Sequence, residues 1–228
     1  MEKPVTIISL GGSTIAPDIP NGEFVRSFVE LIKERAAKGR RFVIVCGGGK
    51  TSRNYHKALA EAGNTNADDA DWIGIYATHL NAELIRLALG KLAHPVIVKD
   101  PTKKVPWKSK VLIAGGWKPG RSTDYDAVLL AKMFGAKQLV NVSNIDYVYT
   151  ADPKKDPHAR SLPEMTGEEL IAMLHSKWSP NLSSPFYPIA ARLASKLRLS
   201  ASVVNGDSLA DVARAIDEMP FRGTTITP

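Results

Sequence analysis

The chain has one cysteine, Cys46, and so cannot close an internal disulfide. That usage suits a reducing compartment, and a cytoplasmic location is the expectation. No run approaches the roughly 18 apolar residues of a membrane span, so no membrane partner is expected. The opening MEKPVTIISLGG does not read as a signal peptide. Five histidines are present, none at the spacing of a ligand set, so no protein-built metal centre is expected. Aromatic and basic residues are not interleaved as in RNA-binding sheets, and no nucleic-acid partner is expected. The 30 Lys and Arg against 23 Asp and Glu leave +7, with the charges scattered rather than clustered. Small phosphorylated ligands explain that bias as well as nucleic acid would, and a solvated basic surface explains it better than either.

What is present is alternation. Residues 5–10 (VTIISL) and 41–46 (RFVIVC) are continuous apolar runs, the pattern of strands buried on both faces. Further strands are predicted at 95–98, 111–114, 138–142 and 200–204, with a short run at 147–149. Helices are predicted from Asn21 or Gly22 to Lys38, from near Lys50 to about Ala62, over 72–89, and from the polar group 122–124 to Phe134. Three more are predicted at 167–174, 189–197 and 209–216. In helix 72–89, Ile73, Tyr76, Leu80, Leu84 and Leu87 form the expected buried stripe, and Asp71 stands in front of it as a cap or a ligand contact. Residues 150–163 (TADPKKDPHARSLP) and 181–188 read as irregular. Strands alternating with amphipathic helices predict a three-layer α/β/α sandwich with a mainly parallel central sheet, in a single domain over 1–228.

The functional reading is organised around 111–130, VLIAGGWKPGRSTDYDAVLL. A short strand breaks at Gly115-Gly116 and a loop carries Lys118 and Arg121. Ser122, Thr123 and Asp124 then stand where a helix begins. A helix start offers unpaired N–H groups and partial positive charge, a setting for an anion. Two other strands also run into glycines, at Gly11-Gly12 and Gly47-Gly48-Gly49. In a parallel sheet such corners share the edge where ligands bind. None matches the dinucleotide fingerprint or the common phosphate loop, so phosphate handling must come from another design.

Leu10-Gly11-Gly12-Ser13, Gly47-Gly48-Gly49-Lys50 with Arg53, Gly115-Gly116 through Asp124, and Asn144-Ile145-Asp146 through the YTADPKKDP run resemble the amino acid kinase superfamily. Asp71-Trp72-Ile73-Gly74, Thr78-His79-Leu80-Asn81-Ala82 and the closing Gly223-Thr224-Thr225-Ile226 are similar to the archaeal-type uridylate kinases within it. The likeness covers nearly the whole chain. It implies transfer of the γ-phosphate of ATP to UMP with Mg²⁺, in a homo-oligomer that is usually a hexamer. It also implies an N-terminal part that mainly binds the acceptor and a C-terminal part that mainly binds ATP. Gly12 and Ser13 would hold the ATP phosphates, joined by Gly49 and Arg53. Ser143, Asn144, Tyr149 and Asp152 would line the adenine and ribose pocket. Gly48 and Asp71 would contact UMP, and Trp117, Lys118, Pro119, Gly120, Arg121, Ser122 and Thr123 would wrap its phosphate and uracil. Arg53, Asp124 and Lys50 are the catalytic assignments. Mg²⁺ would be held by nucleotide oxygens and water, needing no dense ligand set from the protein.

The chain departs from the superfamily pattern at Ser9, where a phosphate-bridging lysine is common, with Lys50, Arg53 or Arg121 as candidate replacements. Tyr147 replaces a glycine and His79 a common arginine. Two alternatives stay open: a kinase of the same fold with another small acceptor, and a nucleotide-binding storage or regulatory homologue with little kinase activity.

Overall fold

The computed structural model describes residues 5–176 and 188–228. In chain order it contains β1 (Val5–Leu10), a single turn α1 (Gly12–Ile15), α2 (Gly22–Ala37), β2 (Arg41–Cys46), α3 (Gly49–Glu61) and α4 (Ala67–Leu89). There follow β3 (Val111–Ala114), α5 (Thr123–Phe134), β4 (Gln138–Ser143), β5 (Val148–Tyr149), β6 (Ser161–Leu162) and β7 (Glu164–Thr166). The chain closes with α6 (Gly167–Ser176), α7 (Pro188–Lys196), β8 (Ser200–Asn205), α8 (Leu209–Ile216) and β9 (Gly223–Thr227).

Seven strands form one sheet in the order β3-β2-β1-β4-β8-β9-β7. All neighbours from β3 to β8 are parallel, and β9 runs antiparallel to β8. The apolar runs in β1 and β2 are continuous because each strand feeds two cores. Ile8, Leu10, Phe42 and Ile44 face a cluster with Phe28 and Ile32 of α2, Ile85 of α4 and Val212 of α8. Ile7, Val43 and Val45 face a second cluster with Val128 of α5, Leu170 of α6 and Ala190 of α7. The result is the expected three-layer sandwich. Among the described residues no helix is long and apolar enough to cross a membrane.

Three local expectations are corrected. Residues 95–98 are not a strand: only isolated bridges, Ala93 with Val111 and Val98 with Ala114, touch β3. Pro95 has no N–H to donate, and the Val96 amide instead bonds His94 Nδ1 in a turn. Helix α4 begins at Ala67 rather than 72, capped by Asn66, whose side chain accepts from the Asp69 amide at 3.1 Å. Asp71 therefore lies inside the helix and is not its cap. The expected stripe on α4 is also on the wrong side. Its buried face carries Ile75, Thr78, Ala82, Ile85 and Leu89, while Tyr76, Leu80 and Leu87 are more than 60% exposed. Thr78 and Asn81 displace apolar residues from the buried face because they bond the backbone of neighbouring corners. Trp72 is also 41% exposed.

The 150–163 segment is irregular apart from β6, which returns to pair with β5. β9 is a strand beyond those expected; in it Thr224 and Ile226 are buried while Thr225 and Thr227 are more exposed. Thr224 Oγ1 accepts from the Val148 amide at 2.8 Å and donates to the Leu162 carbonyl at 2.6 Å, which ties the 148–162 segment to this strand. The stretch 181–188, expected to be irregular, lies outside the described residues except for Pro188, which opens α7.

Candidate active site

Strand order reverses between β1 and β4: the chain moves outward through β2 and β3 on one side and through β8 on the other. In an open α/β sheet, ligands bind beyond the carboxyl ends of the strands at such a reversal. Five parallel strands end there, in the corners after Leu10, Cys46, Ala114, Ser143 and Asn205.

The first two corners interlock backbone to backbone. A Cβ on Gly12 would overlap the Gly49 nitrogen, and one on Gly47 would lie 2.6 Å from the Gly12 nitrogen. Gly49 has φ +62, which a side chain would strain. From the helix side, the buried amide of Asn81 donates to the Gly47 carbonyl at 2.8 Å and to that of Gly48 at 3.3 Å. Asn81 thus satisfies carbonyls that the turn leaves without a strand partner.

The third corner is fixed by α4 and α5. Thr78 Oγ1 accepts from the Gly116 amide at 2.7 Å, and His79 Nε2, as an N–H donor, lies 2.8 Å from the Gly116 carbonyl. Burial lowers the His79 pKa, which favours the neutral ring. Beyond this anchor, the Gly120 amide donates to Asp71 Oδ2 at 2.7 Å, so the loop closes onto the exposed side of α4. Ser122 caps α5 by accepting from the Tyr125 amide at 3.3 Å. Lys118 Nζ lies 4.1 Å from the Trp117 ring centre, and the Arg121 guanidinium 5.0 Å from that of Tyr125. Both cations rest on aromatic faces and form no ion pair with a carboxylate among the described residues, which leaves their charge available to an anion.

At the centre, Ser9 Oγ donates to Asp124 Oδ1 at 2.8 Å and Asn141 Nδ2 donates to the same oxygen at 3.3 Å. This joins β1, β4 and the first turn of α5. Arg53 Nη1 reaches Ser13 Oγ at 3.5 Å, bringing α3 over the first corner. Lys50 lies on the opening turn of α3, its amide bonded to the Ala16 carbonyl at 3.0 Å.

A profile of the amino acid kinase family matches residues 4–205. The chain belongs to the amino acid kinase family. A curated uridylate kinase of Thermococcus gammatolerans is 34% identical over 229 residues, 97% of this chain and 99% of the relative. One of Methanospirillum hungatei is 32% identical over 98% of this chain and 95% of its own length. Among solved structures, the uridylate kinase of Archaeoglobus fulgidus superposes with a TM-score of 0.82 at 29% identity, covering 97% of this chain and 99% of that one.

Within this amino acid kinase fold, the sequence-predicted residues fall into two groups. Gly12, Ser13, Gly48, Gly49, Lys50, Arg53 and Asp124 gather around the first two corners, with Trp117, Lys118, Pro119, Gly120, Arg121, Ser122 and Thr123 in the adjoining loop and Asp71 facing it. Ser143 ends β4 on the far side of the reversal, and Asn144, Tyr149 and Asp152 follow it. Ser143 Oγ accepts from the Ile145 amide at 3.4 Å, and Asn144 is exposed. The Tyr149 and Tyr147 rings meet edge to face at 6.3 Å. Asp152 turns its carboxylate to the Lys154 amide at 3.0 Å, so in this structure it caps its own turn. Sequence reasoning gave no role to Thr78, Asn81, Asn141 or Asp126, nor to Asp146, which is pinned by Asn205 at 2.8 Å and Arg222 at 2.8 Å. For Thr78 and Asn81 the available signal was a polar residue at helical spacing among apolar ones.

Two carboxyl groups in α5 have unusual acidity. Burial pushes Asp124 up to about 6, against the hydrogen bond from Ser9. Burial pushes Asp126 up to about 7, against the Trp117 amide, and the charge of Asp124 adds to the rise. A folded chain that holds these protons more tightly than the unfolded chain loses stability as pH rises between 3.8 and about 7 and levels off above that range.

Proposed function

We propose that this protein is an ATP-dependent UMP kinase that makes UDP for pyrimidine nucleotide synthesis. The observation that carries the reading is the closure of a cation-bearing loop onto Asp71 beside two interlocked glycine corners. Its full-length similarity to uridylate kinases supports the same conclusion.

Phosphoryl transfer asks a protein for alignment of two anions and neutralisation of charge on the moving group. In this reading Gly12, Ser13, Gly49 and Arg53 hold the ATP phosphates, and Ser143, Asn144, Tyr149 and Asp152 border adenine and ribose. Gly48, Asp71 and the loop from Trp117 to Thr123 receive UMP, Asp71 by accepting from a ribose hydroxyl, Lys118 and Arg121 by facing its phosphate. The part before α5 is mainly the acceptor side and the part after it mainly the ATP side. Lys50 and Arg53 supply the positive charge that Ser9 does not. Mg²⁺ would bind phosphate oxygens and waters and neutralise charge on the transferred group. Asp124, a carboxylate at the junction of the two sides, fits an ordering role toward that metal or the cations. A cytoplasmic location accords with a lone buried cysteine.

The decisive assay measures ADP release with UMP, CMP, glutamate, aspartate or isopentenyl phosphate as acceptor. The expected result is release with UMP well above the others. Turnover with a different acceptor alone would overturn the assignment. ATP binding without any acceptor turnover would favour the storage or regulatory reading, for which Ser9 in place of lysine is the supporting observation.

The protein is further proposed to form a homo-oligomer, a hexamer. Trp72, Tyr76, Leu80 and Leu87 expose apolar surface along the outer face of α4, with Val96 also exposed nearby in sequence. An apolar stripe of this kind marks a contact surface, and a second copy of the chain is the occupant we assign. Replacing Leu80 and Leu87 with glutamate should move the protein to monomer in sedimentation velocity with its circular dichroism unchanged. An unaltered sedimentation coefficient would remove α4 from the interface.

A further inference from the structure

Asp126 has no part in the roles assigned above, yet it is the most completely buried carboxyl group near the acceptor loop, with 0% of its surface exposed. It lies in the first turn of α5, and its Oδ2 accepts from the Trp117 amide at 3.1 Å, across the loop that the helix follows. Its Oδ1 is buried without a hydrogen-bond partner among the described residues. A buried carboxylate with an unsatisfied oxygen is costly, whereas the neutral acid avoids burying a charge. The charged groups that act on it are Asp124 from its own helix, Arg121 from the loop and Asp100 from the segment before β3. Two of those three are acidic.

We propose that Asp126 is a positioning residue for the acceptor loop: it tethers the loop through the Trp117 amide and retains a proton when a phosphorylated acceptor binds. The tether follows from geometry. Thr78 holds the Gly116 N–H, while His79 and Asp126 hold the carbonyl and the N–H of the peptide unit that joins Gly116 to Trp117, so Trp117 leaves the corner in one direction. The proton follows from charge. An incoming phosphate attracted by Lys118 and Arg121 meets Asp124 and Asp126 behind them, and a neutral Asp126 removes one repulsion at the site. The raised pKa of this group, caused chiefly by burial, is consistent with that state near neutral pH.

The proton role rests on the acceptor being UMP; the tether does not. Two variants separate them. Asp126→Asn keeps an oxygen for the Trp117 amide and cannot ionise, while Asp126→Ala removes both functions. In the nucleotide-free protein, hydrogen exchange of the 115–122 backbone should quicken about tenfold in Asp126→Ala and stay near wild type in Asp126→Asn. Equal exchange in all three proteins would overturn the tether. With UMP as the varied substrate, Asp126→Ala should raise KM by about tenfold, more than it lowers kcat. The ratio of KM between Asp126→Asn and wild type should fall severalfold as pH rises from 6 to 8, because only the wild type then gains a charge that opposes phosphate. Taking the ratio cancels the titration of UMP itself. A ratio independent of pH would overturn the proton role. If the wild type released no ADP with UMP, the functional assignment would fail, and the proton role with it, while the exchange measurement would still decide the tether. Should Asp126→Ala not fold, loosening of the loop in Asp126→Asn would itself refute the tether.

Discussion

Arg53→Ala should reduce UMP-dependent ADP release by about 10² to 10³, the loss usual when one preorganised charge donor is removed from a transition state, roughly 3–4 kcal/mol. Arg53 is exposed on the second turn of α3, and its one hydrogen bond to Ser13 is long at 3.5 Å. Such a contact adds little to folding, so thermal unfolding and circular dichroism should match the wild type. On the proposed reading the deficit belongs to the bound state, in which the guanidinium would lie against phosphate oxygens, the bridging lysine common in the superfamily being Ser9 in this chain. Arg53→Lys should recover only part of the rate, since an ammonium offers a point charge where the guanidinium offers a planar fork. Near-normal turnover in Arg53→Ala would take this residue out of the site and return the task to Lys50 or Arg121.

Gly12→Ala should show the opposite profile, a folding defect first. The added Cβ would overlap the Gly49 nitrogen and crowd the carbonyl carbons of Gly47 and Gly48. These are backbone atoms, which no rotamer change can move aside. Overpacking typically costs 1–3 kcal/mol where side chains can adjust; here about 3 kcal/mol or more is expected, a fall in Tm of roughly 6–12 °C for a chain of this size. Gly22, the first residue of α2, is the internal control, because nothing lies within 4 Å of its would-be Cβ. Gly22→Ala should hold the wild-type Tm or raise it slightly, by restricting the unfolded chain. Equal melting of the two variants, read by calorimetry, would show that the corners yield and are not mutually braced.

Much of the fold was legible because the chemistry was repeated locally. β1 and β2 are buried on both faces, so their apolar runs are unbroken, and each run ends in glycines at the carboxyl edge of the sheet. Ser122 read as a helix cap and is one. The helix α4 was misread for a physical reason: it carries apolar residues on two faces, and periodicity alone cannot say which face meets the sheet. Thr78 and Asn81 look like surface residues until the corners they bond are brought beside them. Residues 95–98 resemble a strand in composition, but of them only Val98 bridges β3. The corners of the site were visible one at a time, whereas the contacts between them were not. Gly12 against Gly49, Asp71 to Gly120, and Ser9 with Asn141 on Asp124 join residues far apart in sequence, and only the sheet order places them together. Asp126 was hidden most completely, since an acidic residue in the first turn of a helix is ordinary in composition.

The position of β9 has a consequence for how this molecule is made. The strand is interior, flanked by β8 and β7, and its Thr224 holds both ends of the segment that follows β4. During synthesis, the earlier parallel strands can assemble while the ribosome is still translating α8. The β5–β6 pair can close within the 148–162 segment, but the Val148 amide and the Leu162 carbonyl must wait for Thr224, so the part of the chain after β4 is the last to be tied to the sheet.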